Sequence, residues 1–175
     1  MTPTPQTPPF GLRPGEVATE LPAAFDAGLY FIGRVRTPWT RREDCPRNGA
    51  AAEAECVLEI DARWTAGLDR IDERSHLWAL YFMHHSPRDV MLQIPRRGGG
   101  ARGVFTLRSP ARPNPIAMSV VRLLRVERDG AGGACLIVVG LDCLDGTPLL
   151  DVKPWSPADA APLAEGATRT DPAHA

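Results

Sequence analysis

Lysine is nearly missing from this 175-residue chain: Lys153 stands alone beside 19 arginines. Arginine therefore has to make almost every cationic contact, and it is the better bidentate partner for phosphate and carboxylate. Aromatic residues are few, at 6%, and the formal net charge is only −1. Averaged over the chain, that balance advertises neither a polyanionic partner nor a membrane surface. No run approaches the ~20 apolar residues needed to cross a bilayer. The opening MTPTPQTPPFGLRPGEVATE has neither a basic start nor an apolar stretch of the secretory kind, so a cytoplasmic location is expected. The four cysteines, Cys45, Cys56, Cys135 and Cys143, form no C-x-x-C pair and have no histidine at zinc spacing. Reduced thiols and no metal site are expected.

With 43% apolar and 23% charged residues, the chain has the composition of one globular domain. Its apolar runs are short and rich in β-branched and aromatic residues: LYFIGRVR (29–36), ECVLEI (55–60), LWALYFM (77–83), GVFTL (103–107), IAMSVVRLLRVE (116–127), CLIVVGL (135–141) and PLLDV (148–152). These read as seven strands. DGAGG (129–133) reads as a hairpin connection and DGTP (145–148) as a tight turn. Only WTAGLDRIDE (64–73) carries a helical spacing, through Trp64, Leu68 and Ile71. No βαβ alternation is present, and GGGARG (98–103) sits in a basic loop, which argues against a dinucleotide fold. The expected architecture is mainly β: a mostly antiparallel β-barrel with a short helix and long loops. It would span residues 26–157, between a proline-rich extended arm (1–25) and a C-terminal tail (158–175).

The near-neutral total hides a polarised chain. Residues 34–128 hold 17 Arg against 11 Asp and Glu, whereas residues 129–175 hold two basic side chains against seven acidic ones. Residues 90–126 carry no carboxylate side chain, yet contain Arg96, Arg97, Arg102, Arg108, Arg112, Arg122 and Arg125. Such a loop is suited to gripping phosphates with counterion release. A solvated surface paired with the acidic ends of the chain is the alternative.

Four segments concentrate unusual residues. RTPWTRREDCPRNG (36–49) is a polar loop stiffened by Pro38 and Pro46, and FMHHSPRD (82–89) ends a strand in His84 and His85. FTLRSPARPNPIAMSVV (105–121) surrounds Arg108, Ser109, Arg112 and Asn114 with Pro110, Pro113 and Pro115, rigidity that suits either recognition or a barrel corner. GLDCLDGTPLLDVKPW (140–155) clusters Asp142, Asp145 and Asp151 around a turn. Its spacing lacks the oxygen ligands of a calcium or magnesium loop but would suit a cationic cofactor or a proton acceptor.

Taken together, IGRVRTPW (32–39), PRN (46–48), SHLWALYFMHH (75–85), GVFTLRSPARPNPIAMSVV (103–121) and LDCLDGTPLLDVKPW (141–155) resemble the TsaA/TrmO-type family of S-adenosylmethionine-dependent tRNA methyltransferases. The resemblance covers residues 29–157. It implies a small single-sheeted antiparallel β-barrel, a homodimer with the cofactor site near the interface, and N-methylation of N6-threonylcarbamoyladenosine beside the tRNA anticodon. The implied S-adenosylmethionine contacts fall on Pro46, Arg47, Asn48, His84, His85, Arg108, Met118, Asp142, Cys143, Leu144 and Asp145. The family more often has Gln in place of Asn48. The shorter amide would turn a direct hydrogen bond into a water-mediated one.

Methyl transfer from a sulfonium is an in-line displacement that needs alignment and no covalent enzyme intermediate. A carboxylate can face the sulfonium charge. The urea-like acceptor nitrogen gains from a general base, for which Asp142, Asp145 and His85 are the candidates. An exposed anticodon-loop base suits recognition by stacking and phosphate contacts. Arg96, Arg97, Arg102, Arg112, Asn114 and Lys153 are the expected RNA contacts. Two further readings stay open: the same cofactor with another substrate, and a non-catalytic S-adenosylmethionine- or RNA-binding protein.

Overall fold

Alternation of apolar and polar residues places one face of each main strand inward, and six such strands close on themselves. The computed structural model describes residues 12–49, 52–95 and 98–159. Its strands are β1 (Val17–Ala18), β2 (Gly33–Arg36), β3 (Cys56–Ile60), β4 (His76–Phe82), β5 (Val90–Gln93), β6 (Arg102–Gly103), β7 (Ile116–Arg128), β8 (Ala134–Val139) and β9 (Thr147–Pro154). The barrel runs in the order β2-β3-β8-β7-β4-β9, with every neighbouring pair antiparallel. Val35, Cys56, Leu58, Ile60, Leu77, Ala79, Tyr81, Val121, Leu136, Val138 and Leu149 fill its interior. Closure leaves no free edge in this sheet. No helix among the described residues is long and apolar enough to cross a membrane.

The hairpin read from DGAGG joins β7 to β8: Asp129 Oδ1 accepts the backbone N–H groups of Ala131 and Gly133 at 2.9 and 2.8 Å. The turn read from DGTP enters β9 with Gly146 at φ +76°.

Three local readings differ from the sequence expectation. Residues 64–73 form 3₁₀ turns, Ala62–Leu68 and Ile71–Glu73, instead of one α-helix. Asp69 is extended (ψ 127°) and Arg70 left-handed (φ 59°), which breaks any continuous helix, although Trp64, Leu68 and Ile71 still face the core. The run 103–107 is a strand only at its start. Val104–Thr106 turns as a 3₁₀ segment, with Val104 buried in a separate cluster with Val90 and Ala111 while Phe105 is exposed. Finally, a second sheet, β1-β5-β6, accompanies the barrel, with β1 drawn from within residues 1–25.

Candidate functional site at the barrel rim

Two loops cross at one end of the barrel, the one leaving β2 and the one between β8 and β9. Their crossing requires glycine, since a Cβ on Gly49 would collide with the Gly140 carbonyl, and Gly140 itself has φ +110°. Beyond the crossing, Thr37 Oγ1 donates to the Cys143 carbonyl at 2.9 Å, and the Asp145 N–H donates to the Trp39 carbonyl at 2.8 Å. The segments containing Pro46–Asn48 and Asp142–Asp145 thus belong to one tied structure, although they are about a hundred residues apart.

Asp142 and Asp145 have different surroundings. Asp145 Oδ1 accepts the Thr37 N–H at 3.1 Å, and its Oδ2 lies 3.6 Å from the Arg36 guanidinium. That guanidinium is held mainly by Glu59 at 2.8 Å; Glu59 first and Asp145 second raise its already high pKa. Asp145 is therefore a loop fastener with both oxygens engaged. Asp142 is half-buried, and its Oδ1 accepts from the Tyr81 hydroxyl at 2.7 Å. The Tyr81 oxygen is also 2.8 Å from Ser119 Oγ. Burial, reinforced by the Asp142 charge, pushes the Tyr81 phenol well above its ordinary range, so it remains protonated and a donor. Burial, then the Asp142 charge, likewise raises the Cys45 thiol, which sets the loop of Pro46 close to Asp142. Cys143 is buried, and its thiol is pushed up to about 12.

His84 and His85 are exposed just beyond β4, with ring centroids 3.8 Å apart. Burial, then His85 and Arg34, lowers the His84 pKa, which favours a neutral ring. The Met83 N–H donates to the Pro115 carbonyl at 2.8 Å, tying this turn to the proline-rich loop before β7. Arg108 is exposed on that loop, and Met118 is 47% exposed on the outward face of β7. Leu144 is half-buried, its carbonyl accepting from Thr147 Oγ1 at 2.7 Å.

The expected RNA contacts fall into different settings. Arg112 donates to the Ser109 and Val104 carbonyls at 2.8 and 3.1 Å and to the Leu107 carbonyl, so its guanidinium shapes the loop. Asn114 Oδ1 accepts from Arg88 at 3.5 Å, and Arg88 also donates to the Pro113 carbonyl at 2.7 Å while lying over the Phe25 ring. Lys153 pairs with Asp151 at 2.8 Å. Arg102 is half-buried at the edge of the small sheet. Arg96 and Arg97 lie outside the described residues.

Sequence reasoning did not single out Tyr81, Ser119, Thr37 or Arg88. A signal existed for two of them. Strand alternation puts Tyr81 on the inward face with Leu77 and Ala79, and Ser119 is a lone hydroxyl within the apolar strand segment AMSVV.

A family model described as the tRNA-methyltransferase O N-terminal domain matches residues 34–160, which hold every rim loop and all six barrel strands except Gly33. The chain belongs to this family. Among similar TrmO-related proteins, the probable S-adenosyl-L-methionine-binding protein VirR of Rhizobium radiobacter is 48% identical over 143 residues, 82% of this chain and 79% of VirR. A tRNA (adenine(37)-N6)-methyltransferase of Eikenella corrodens is 42% identical over 97 residues, 50% of this chain and 54% of that protein. The crystal structure of TrmO from Pseudomonas aeruginosa superposes with a TM-score of 0.64 at 32% identity, covering 87% of this chain and 63% of TrmO. The chain therefore spans less than two thirds of that TrmO.

Proposed function

We propose that this chain is an S-adenosylmethionine-dependent methyltransferase that N-methylates N6-threonylcarbamoyladenosine beside the anticodon of tRNA. The observation that carries the reading is Asp142: a half-buried carboxylate on a tied loop, with Oδ1 held by Tyr81 and no partner shown for Oδ2 among the described residues. Such a group suits a cationic sulfonium, and the residues of the four motifs fit S-adenosylmethionine by their chemistry. Asp142 would face the charge, the amide and guanidinium groups of Asn48, Arg47 and Arg108 would supply hydrogen bonds, and Met118 would supply apolar contact.

When bound, S-adenosylmethionine supplies the methyl group and departs as its neutral thioether. The rim residues hold donor and acceptor in line, the main requirement of a displacement. The acceptor nitrogen loses its proton as the new C–N bond forms. Asp142 and His85 are the groups suited to receive it, because both Asp145 oxygens are engaged by Thr37 and Arg36. A cysteine nucleophile is disfavoured by the raised thiols of Cys56, at about 11, and Cys143, at about 12. With Arg112 engaged by carbonyls, half-buried Arg102, with Arg96 and Arg97, supplies the phosphate grip. The outward apolar residues Ile116 and Met118, 41% and 47% exposed, supply a homodimer contact beside the cofactor.

Mass spectrometry of tRNA nucleosides from a deletion strain tests this reading. Loss of the N6-methylated threonylcarbamoyladenosine is expected, and an unchanged profile removes the substrate assignment. A second reading, a binder without catalysis, is favoured by the name of the VirR relative. It predicts S-adenosylmethionine binding by calorimetry with no methyl transfer to tRNA from that strain.

A further inference from the structure

Tyr81 is one of two tyrosines in the chain and is 1% exposed. Its place follows from register: on the barrel's inner face Ala79 lies opposite Ser119, and Tyr81 opposite Ala117. The Tyr81 and Ser119 side chains are thus diagonal neighbours on one face. The phenol oxygen meets Ser119 Oγ at 2.8 Å and Asp142 Oδ1 at 2.7 Å. An ionised carboxylate can only accept, so Tyr81 donates to Asp142 and accepts from Ser119. The order Ser119 to Tyr81 to Asp142 therefore has a single direction. The phenol holds its proton because burial, and then the Asp142 charge, disfavour its anion.

The consequence lies at the rim. Asp145 has its charge answered by Arg36 and its other oxygen engaged by Thr37. Asp142 receives a neutral donor instead, so its orientation is set with no ion pair shown to it among the described residues. A hydrogen bond from a neutral phenol to a carboxylate is short and strong. Ser119 orients the phenol through its hydroxyl.

We propose that Tyr81, backed by Ser119, is a positioning residue that holds the Asp142 carboxylate in one orientation, and thereby sets the site's preference for a sulfonium ligand over its neutral thioether. This rests on the reading of the rim as an S-adenosylmethionine site.

Calorimetry with S-adenosylmethionine and with S-adenosylhomocysteine, on the full-length wild type, Asp142→Asn, Tyr81→Phe and Ser119→Ala, tests it. The readout is the ratio of the two dissociation constants, which a general loss of stability would not move, because both ligands share every group except the charged methylsulfonium. Asp142→Asn should lower the preference for the cation by about tenfold, Tyr81→Phe by roughly three- to tenfold, and Ser119→Ala by about twofold. Tyr81→Phe keeping the wild-type ratio while Asp142→Asn lowers it overturns the role of Tyr81 and leaves the cofactor site standing. Should Tyr81→Phe not fold, Ser119→Ala decides, and an unaltered ratio there overturns the proposal. Failure of the wild type to bind either ligand removes the cofactor reading, and this inference with it.

Discussion

The closed barrel and the small β1-β5-β6 sheet beside it are both antiparallel, yet different forces hold them. Every barrel strand has two paired neighbours, and the barrel interior is a continuous set of buried Leu, Val, Ile and Tyr side chains. Among the described residues the small sheet packs on a cluster of Val90, Val104 and Ala111, with Met91 against it. It is secured by polar contacts: Arg13 pairs with Glu16 at 2.5 Å and donates to the Ile94 carbonyl, while Glu16 accepts the Ile94 N–H at 3.3 Å. Arg112 then binds three carbonyls of the adjoining loop. Apolar burial stabilises without regard to direction or pH, whereas hydrogen-bonded straps depend on geometry and on ionisation. Asp142 belongs to the barrel through Tyr81, while Arg102 belongs to the strapped region. Cofactor binding and RNA binding should therefore fail under different perturbations.

The largest effect is expected in the barrel. Leu58→Ala, at a fully buried position, should cost about 2–5 kcal/mol in denaturant unfolding and weaken cofactor binding with the whole fold. Val104→Ala, in the small cluster, should cost roughly 1.6 kcal/mol for the two groups removed and leave cofactor affinity unchanged. If the two substitutions cost the same and both remove binding, the two regions form one cooperative unit. Arg112→Met leaves three carbonyls without their donor and should cost about 1–3 kcal/mol, with tRNA affinity falling more than cofactor affinity. Glu16→Gln should be milder, about 0.5–1.5 kcal/mol, read as faster hydrogen exchange at Ala18 but not at Leu58.

The pH dependence of the strap follows from the same group. Hydrogen bonding by Arg13 lowers the Glu16 pKa in the folded state. Its contribution is complete above the ordinary glutamate range and is lost as pH falls through the lowered folded value. Acid should therefore release β1 from β5 before the barrel opens. Simultaneous loss of amide protection in both sheets would contradict that order.

Much of the barrel was legible because each strand carries its own evidence: HLWALYF alternates buried and half-buried residues, and DGAGG contains its own turn chemistry. The helical reading of 64–73 failed at Asp69 and Arg70, two exposed residues whose backbone angles interrupt the segment although its apolar spacing is correct. At the site, motif composition pointed to the right loops but treated Asp142 and Asp145 as equivalents. Nothing local distinguishes them, since each is a carboxylate in the same short segment.

Alternation, turn residues and the proline- and arginine-rich loops determined on their own that this chain makes short antiparallel strands with polar, rigid connections. These are properties of neighbours in sequence, encoded within a few residues. Tertiary structure alone decided that Tyr81 and Ser119 reach Asp142, that Arg36 and Thr37 engage Asp145, and that Arg112 faces carbonyls instead of solvent. The partners of Asp142 and Asp145 are distant in sequence and are brought together by barrel closure and by the Gly49–Gly140 crossing, whereas Arg112 meets carbonyls of its own loop once that loop folds back; a hydrogen bond forms only where folding brings donor and acceptor within about 3 Å.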